Sequence, residues 1–196
     1  MTTDTSASGT STAPTTALPL PTGSWEIDPF HSAVNFTIRH LGISKVRGRF
    51  TELSAELVVG ESAGTSSVTA TIALASIDTG NKDRDAHVRA PDLLDVERRP
   101  TMTFRSTRVR GGEDEWTLEG ELTIGDVTKP VTLAVEFGGL QAFPGDSRRH
   151  AGFEATGEIS RGDYGLDFGT GLLGDVVKIQ LDMQFLEPAD SPAAQG

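Results

Sequence analysis

The sequence predicts an all-β fold: one antiparallel, up-and-down barrel of about eight strands, with short helical segments at its ends. Three observations predict it. Apolar residues recur at every second position through most of the chain, as they do on strands with one buried face. Breaks rich in Gly, Pro and Asp separate these runs, which is the punctuation of turns. Helix signals are confined to short stretches.

In chain order, Val34, Phe36 and Ile38 alternate with Asn35, Thr37 and Arg39. Segment 49–59 puts Ala55, Leu57 and Val59 on one face, and Val68, Ala70, Ile72 and Leu74 form the next run. Met102, Phe104 and Ser106 follow, then Trp116, Leu118, Gly120, Leu122 and Ile124. Val131, Leu133, Val135 and Phe137 make a further strand, as do Phe153, Ala155, Gly157 and Ile159. The cleanest run sets Val177, Ile179, Leu181, Met183 and Phe185 against Lys178, Gln180, Asp182 and Gln184. Turn-like segments fall at 60–64, 111–113, 125–126 and 144–145. Asn81 is a fitting N-cap for a helix closed by Pro91, and 162–167 allows one more short turn. One-sided strands build either a sandwich or a barrel. A strand of about ten residues rises roughly 33 Å, long for a small sandwich, and about eight such strands can enclose one small ligand. Gly120 and Gly157, on the apolar face, either relieve a bend or leave space.

The chain has 196 residues, no cysteine and a net charge of −11. Disulfides, thiolate metal sites and cysteine nucleophiles are excluded. An acidic chain without a basic stripe does not bind nucleic acid, and general charge disfavours attachment to anionic lipid. No run approaches the roughly 18 apolar residues of a membrane span. Residues 1–22 are rich in Thr, Ser, Ala and Pro and lack the basic start and apolar stretch of a secretory signal. They are expected to form a disordered leader, with the barrel over 23–187 and a disordered tail over 188–196. The expected location is cytoplasmic.

Four segments carry a resemblance: WEIDPFHSAVNFTIRHLGISKVRGRF at 25–50, ASIDTGNKDRDAHVRAPDLLDVERRPTMTF at 75–104, LTIGDVTKPVTL at 122–133 and RGDYGL at 161–166. In this order they resemble the YceI-like, or polyisoprenoid-binding, family. The resemblance implies an elongated lipocalin-like barrel with a hydrophobic bore, holding a polyprenyl phosphate, an isoprenoid quinone or a fatty amphiphile. It implies a carrier or storage protein and is compatible with a homodimer. Two departures stand out. Many relatives carry an export signal, unlike this leader, and the turn that the family writes Arg-Gly or Lys-Gly is Gly125-Asp126 here, which removes a cation from one barrel end.

The expected lining is Val34, Phe36, Ile38, Leu57, Ile72, Leu74, Phe104, Leu122, Leu133, Val135, Ile179, Leu181 and Met183, with His40 turned inward near a strand end by parity. A buried CH₂ yields about 0.8 kcal/mol. After ordering costs, an efficiency of about −0.3 kcal/mol per heavy atom leaves roughly −6 kcal/mol for a chain of about 20 carbons. A tail can therefore hold the ligand without a charged clamp. Segment 82–87 is either a solvated brace or a headgroup gate, with Arg84 as donor and Asp85 or His87 orienting it. No catalytic residue and no cofactor is assigned. His31 and Ser32 project oppositely on a strand, no Gly-x-Ser-x-Gly elbow exists, and the histidine spacings fit no metal site. The alternatives are a stress-associated binder of fatty acids or fatty amides, and an enzyme on a small apolar substrate, which would require His31, His40 and His87 to converge.

Overall fold

The computed structural model describes residues 17–189. Its strands are β1 (Gly23–Ile27), β2 (Ala33–His40), β3 (Ser44–Phe50), β4 (Leu53–Val59), β5 (Ser67–Ala73), β6 (Ile77–Asp78), β7 (Thr101–Gly112), β8 (Glu115–Ile124), β9 (Val127–Ala142), β10 (Arg149–Ser160) and β11 (Leu173–Leu186). One α-helix, α1 (Lys82–Arg89), lies between β6 and β7. Asn81 caps it as expected, its side chain accepting the Arg84 amide at 2.9 Å. The cap satisfies one of the orphan donors of the first turn.

The ladders run β1-β4-β5-β7-β8-β9-β10-β11 and return to β1, where Ile27 pairs with Phe185 and Glu26 with Leu186. This is the closed, eight-stranded antiparallel barrel. Three of its ribbons are bent. β2 continues β1 beyond a break at 28–32, β3 runs into β4 across Thr51 and Glu52, and β6 continues β5 beyond the turn at Leu74–Ser76. The first break has a local cause. Pro29 has no amide hydrogen for a ladder, and the Asp28 carboxylate accepts the Phe30 amide at 2.9 Å. Both halves of β1 and β2 still share β11 as neighbour, so the bend leaves the ring intact.

The inward glycines leave no void. A Cβ at Gly120 would collide with the Phe104 ring, one at Gly157 with Leu133, and one at Gly48 with the Phe36 ring. Each glycine makes room for a neighbour's large side chain, the pairing that relieves crowding on a curved sheet. Gly125 at the β8–β9 turn has φ +60° and lies under the Arg99 stem, so any side chain there would be strained and obstructed.

One barrel end is filled by Leu20, Trp25, Leu57, Val59, Ala151 and Phe185. The boundary expected at residue 23 therefore moves. Leu20 is buried, Leu18 packs on the same cluster, and the Trp25 indole donates to the Pro21 carbonyl at 3.0 Å. Leu18 and Leu20 repeat the strand period and give Trp25 its cover. The rest of the expected leader and tail, 1–16 and 190–196, lies outside the described residues. A second cluster holds Leu74, Ile77, Leu94, Leu122, Tyr164 and Leu166 among its members, and joins the wall to α1 and the 161–168 loop.

Candidate functional site

The barrel encloses a cavity of ≈ 700 Å³, within the roughly 300–1,000 Å³ of small-molecule sites. Strand parity builds its wall. Val34, Phe36 and Ile38 border it from β2, Leu57 from β4, Ile72 from β5 and Leu74 from the turn that follows. Phe104, Leu122, Leu133 and Val135 border it from β7 to β9, and Ile179, Leu181 and Met183 from β11. The sequence reading missed Phe50, although Val46, Gly48 and Phe50 alternate in the same period. It also missed Val88 and Leu94, which come from the helix and its following loop, where no strand period operates.

Most of the polar wall residues gather on one side, with Asn35, Ser66 and Arg161 elsewhere on the lining. β6 pairs only with Arg49 and Phe50 of β3. Among the described residues, 44–48 therefore have no strand partner on that edge. α1 stands across the gap, with Val88 packed into the second cluster. His40, Ser44, Thr79 and Arg84 border the cavity here. Thr79 links the helix to this rim. Its amide and hydroxyl both donate to Asp85 Oδ1, at 2.9 and 2.5 Å. Arg84 Nε donates to Thr79 Oγ1 at 2.7 Å and Nη2 to the Thr79 carbonyl at 2.8 Å. Asp85 is buried and does not border the cavity, so it orients Arg84 only through Thr79. His87 does not border the cavity either. It is exposed, and its Nε2 faces Asp92 Oδ2 at 3.4 Å. The rotation of α1 decides both placements, and the one-turn spacing of the motif does not reveal it.

Other arginines near this end are spent on backbone. Arg161 is buried and donates to the carbonyls of Leu166, Phe168 and Gly174, with its guanidinium 5.0 Å from the Phe168 ring centre. No ion pair joins it to Asp163 among the described residues. Arg89 donates to Ala75 and Ile77, and Arg99 to Leu93 and Leu94. Carbonyls capped this way need no water, so the loops can lie close against the wall. Tyr164 sits in the same region, and its hydroxyl has no hydrogen-bond partner among the described residues. Burial, helped by the Asp163 charge, pushes its pKa up to about 12.

The histidines do not converge. No hydrogen bond or ion pair joins His31, His40 and His87 among the described residues. His31 Nδ1 meets Asp28 Oδ2 at 2.7 Å at the β1–β2 break, and the Ser32 hydroxyl instead accepts the Gln184 amide at 3.0 Å. His150, which the sequence reading did not single out, shares this cluster through Gln184, at 2.6 Å. Burial would raise the Asp28 carboxyl, but hydrogen bonds from His31 and the Phe30 amide, with the neighbouring histidine charges, hold it below its ordinary value. Among the described residues no group of three or more His, Cys, Asp or Glu could hold a metal ion, and no helix is long and apolar enough to cross a membrane.

A ring of one-sided ribbons closed round a mainly apolar space defines a hollow antiparallel barrel. Residues 25–185 match the model of the YceI-like domain, and the chain belongs to that family. It is 39% identical to the protein YceI of Escherichia coli O157:H7 over 137 residues, 69% of this chain and 71% of that one. A Campylobacter jejuni YceI crystal structure superposes with a TM-score of 0.68 at 31% identity, over 77% of this chain and 90% of that one. A domain from Saccharophagus degradans, described as polyisoprenoid-binding and implicated in plant cell wall breakdown, shares the fold with a TM-score of 0.61. Its identity is 17%, over 84% of this chain and 98% of that domain.

Proposed function

We propose that the protein binds a long apolar lipid inside the barrel, an isoprenoid such as a polyprenyl phosphate or an isoprenoid quinone, and acts as a carrier or store without catalysing a reaction. The observation that carries this reading is the ≈ 700 Å³ chamber, walled mainly by aliphatic and aromatic side chains, with His40, Ser44, Thr79 and Arg84 grouped at the gap between β3 and α1. A linear tail gains from every methylene that leaves water. Its polar end would sit at the gap, where Arg84 Nη1 carries no hydrogen bond among the described residues and His40 borders the cavity. The polyisoprenoid-binding description of the Saccharophagus domain supports the ligand class.

Native mass spectrometry of untreated protein, followed by organic extraction, tests the proposal. Recovery of a prenyl-chain amphiphile supports it, recovery of fatty acids or amides favours the second ligand class, and a guest-free protein with no affinity for either chain overturns it. Leu181→Asp puts a carboxylate on the chamber wall. It is expected to abolish uptake of a fluorescent acyl or prenyl probe, and normal uptake by a normally stable variant would contradict the site.

A further inference from the structure

We propose that the β2–β3 hairpin tip is a docking site for an anionic lipid bilayer, placed at the open side of the chamber. The tip is apolar and bare. Ile43 is 82% exposed, Leu41 51%, and Leu172, whose carbonyl accepts the Leu41 amide at 2.6 Å, 54%. Leu41 has φ +53°, a left-handed conformation that is costly for a bulky side chain. Neither strain nor exposure of Leu41 helps the fold.

Charge points to the partner. The chain carries −11 overall, yet between Asp28 and Glu52 it has Arg39, Lys45, Arg47 and Arg49 and no acid. Arg49 is paired with Asp78 at 3.1 Å. Arg39, Lys45 and Arg47 are exposed and have no ion pair among the described residues. Arg39 and Arg47 lie on the outer face of the hairpin, away from Ile38 and Val46, which border the cavity. Lys45, across the ladder from Arg39, is exposed and also reaches the cavity rim. Nearby, Asp175 at the start of β11 is engaged by the Ser160 hydroxyl and the Gly162 amide. A bare apolar tip backed by cations suits the headgroup–acyl boundary of an anionic membrane. His40 and Ser44, which flank the tip, border the cavity, so docking would bring the open side against the acyl region.

This deepens the lipid-binding reading and rests on it only for its purpose. Docking is scored by vesicle flotation and the guest by extraction, so failure of one is told apart from failure of the other. The full chain should float with vesicles of equal parts phosphatidylcholine and phosphatidylglycerol, not with phosphatidylcholine alone, and salt should release it. Ile43→Ser should weaken flotation about tenfold. Leu41→Asn should weaken it comparably while keeping or raising the melting temperature, since Asn tolerates the left-handed backbone. Arg39→Gln and Arg47→Gln should each cost about fivefold. Absence of wild-type flotation, or flotation untouched by these variants, overturns the proposal. So does a dimer that the tip variants split without any vesicle binding, because the tip would then serve a second copy of the chain.

Discussion

At one end of the barrel Trp25 is fully buried among Leu20, Val59, Ala151 and Phe185, while between β3 and α1 the wall is finished by His40, Ser44, Thr79 and Arg84. The packed end is held by area removed from water, which tolerates no missing volume. The open side is held by side chains that cap backbone carbonyls and by the Asp85–Thr79–Arg84 chain of hydrogen bonds. Bonds of that kind fix direction without filling space. A barrel built this way can keep a rigid closed end and still leave a gap through which a guest could pass.

The largest test of the contrast is Trp25→Ala. It should cost about 3–5 kcal/mol in urea unfolding, and a loss below about 1 kcal/mol would mean that the end is not a packed plug. Thr79→Val keeps the shape but removes the hydroxyl between Asp85 and Arg84. It should cost about 1–3 kcal/mol by leaving a buried carboxylate short of a partner, and it should mobilise the Arg84 side chain in NMR spectra. An unchanged Arg84 signal would break the relay. Acid acts on the β1–β2 break. The Asp28 carboxyl is held below its ordinary 3.8, so its stabilisation is complete above that value and is lost as pH falls through the lower, folded-state value. Melting temperature plotted against pH should fall less steeply at the acid end in Asp28→Asn than in the wild type. The smallest expected effect is that of Tyr164→Phe. Removing a buried hydroxyl without a partner should leave stability unchanged or raise it by up to about 1 kcal/mol, and a clear loss would reveal a hydrogen bond.

The barrel could be read from the sequence because period two is decided residue by residue. Val34, Phe36 and Ile38, or Ile179, Leu181 and Met183, declare their face without knowledge of any partner strand. β1 was not legible, because Gly23–Ile27 is too short to display the period before Asp28 and Pro29 break it. The open side was not legible because it depends on how soon β6 stops, and a two-residue strand leaves no pattern. Asp85 and His87 could be placed on the helix but not on a face of the molecule. The Asp28–His150 cluster joins residues from opposite ends of the chain, and only the closure of β1 onto β11 brings them together.

Leu18 and Pro19, which precede every strand, border the cavity floor. The depth available to a guest is therefore governed by a stretch of polypeptide lying outside all the ladders. Trimming Leu18 would enlarge that floor at a cost to the packing over Trp25, while the hydrogen-bonded pairs of the wall stayed as they are. If the chamber takes a tail, as proposed, the length it accommodates could be changed at this stretch without rebuilding the ladders.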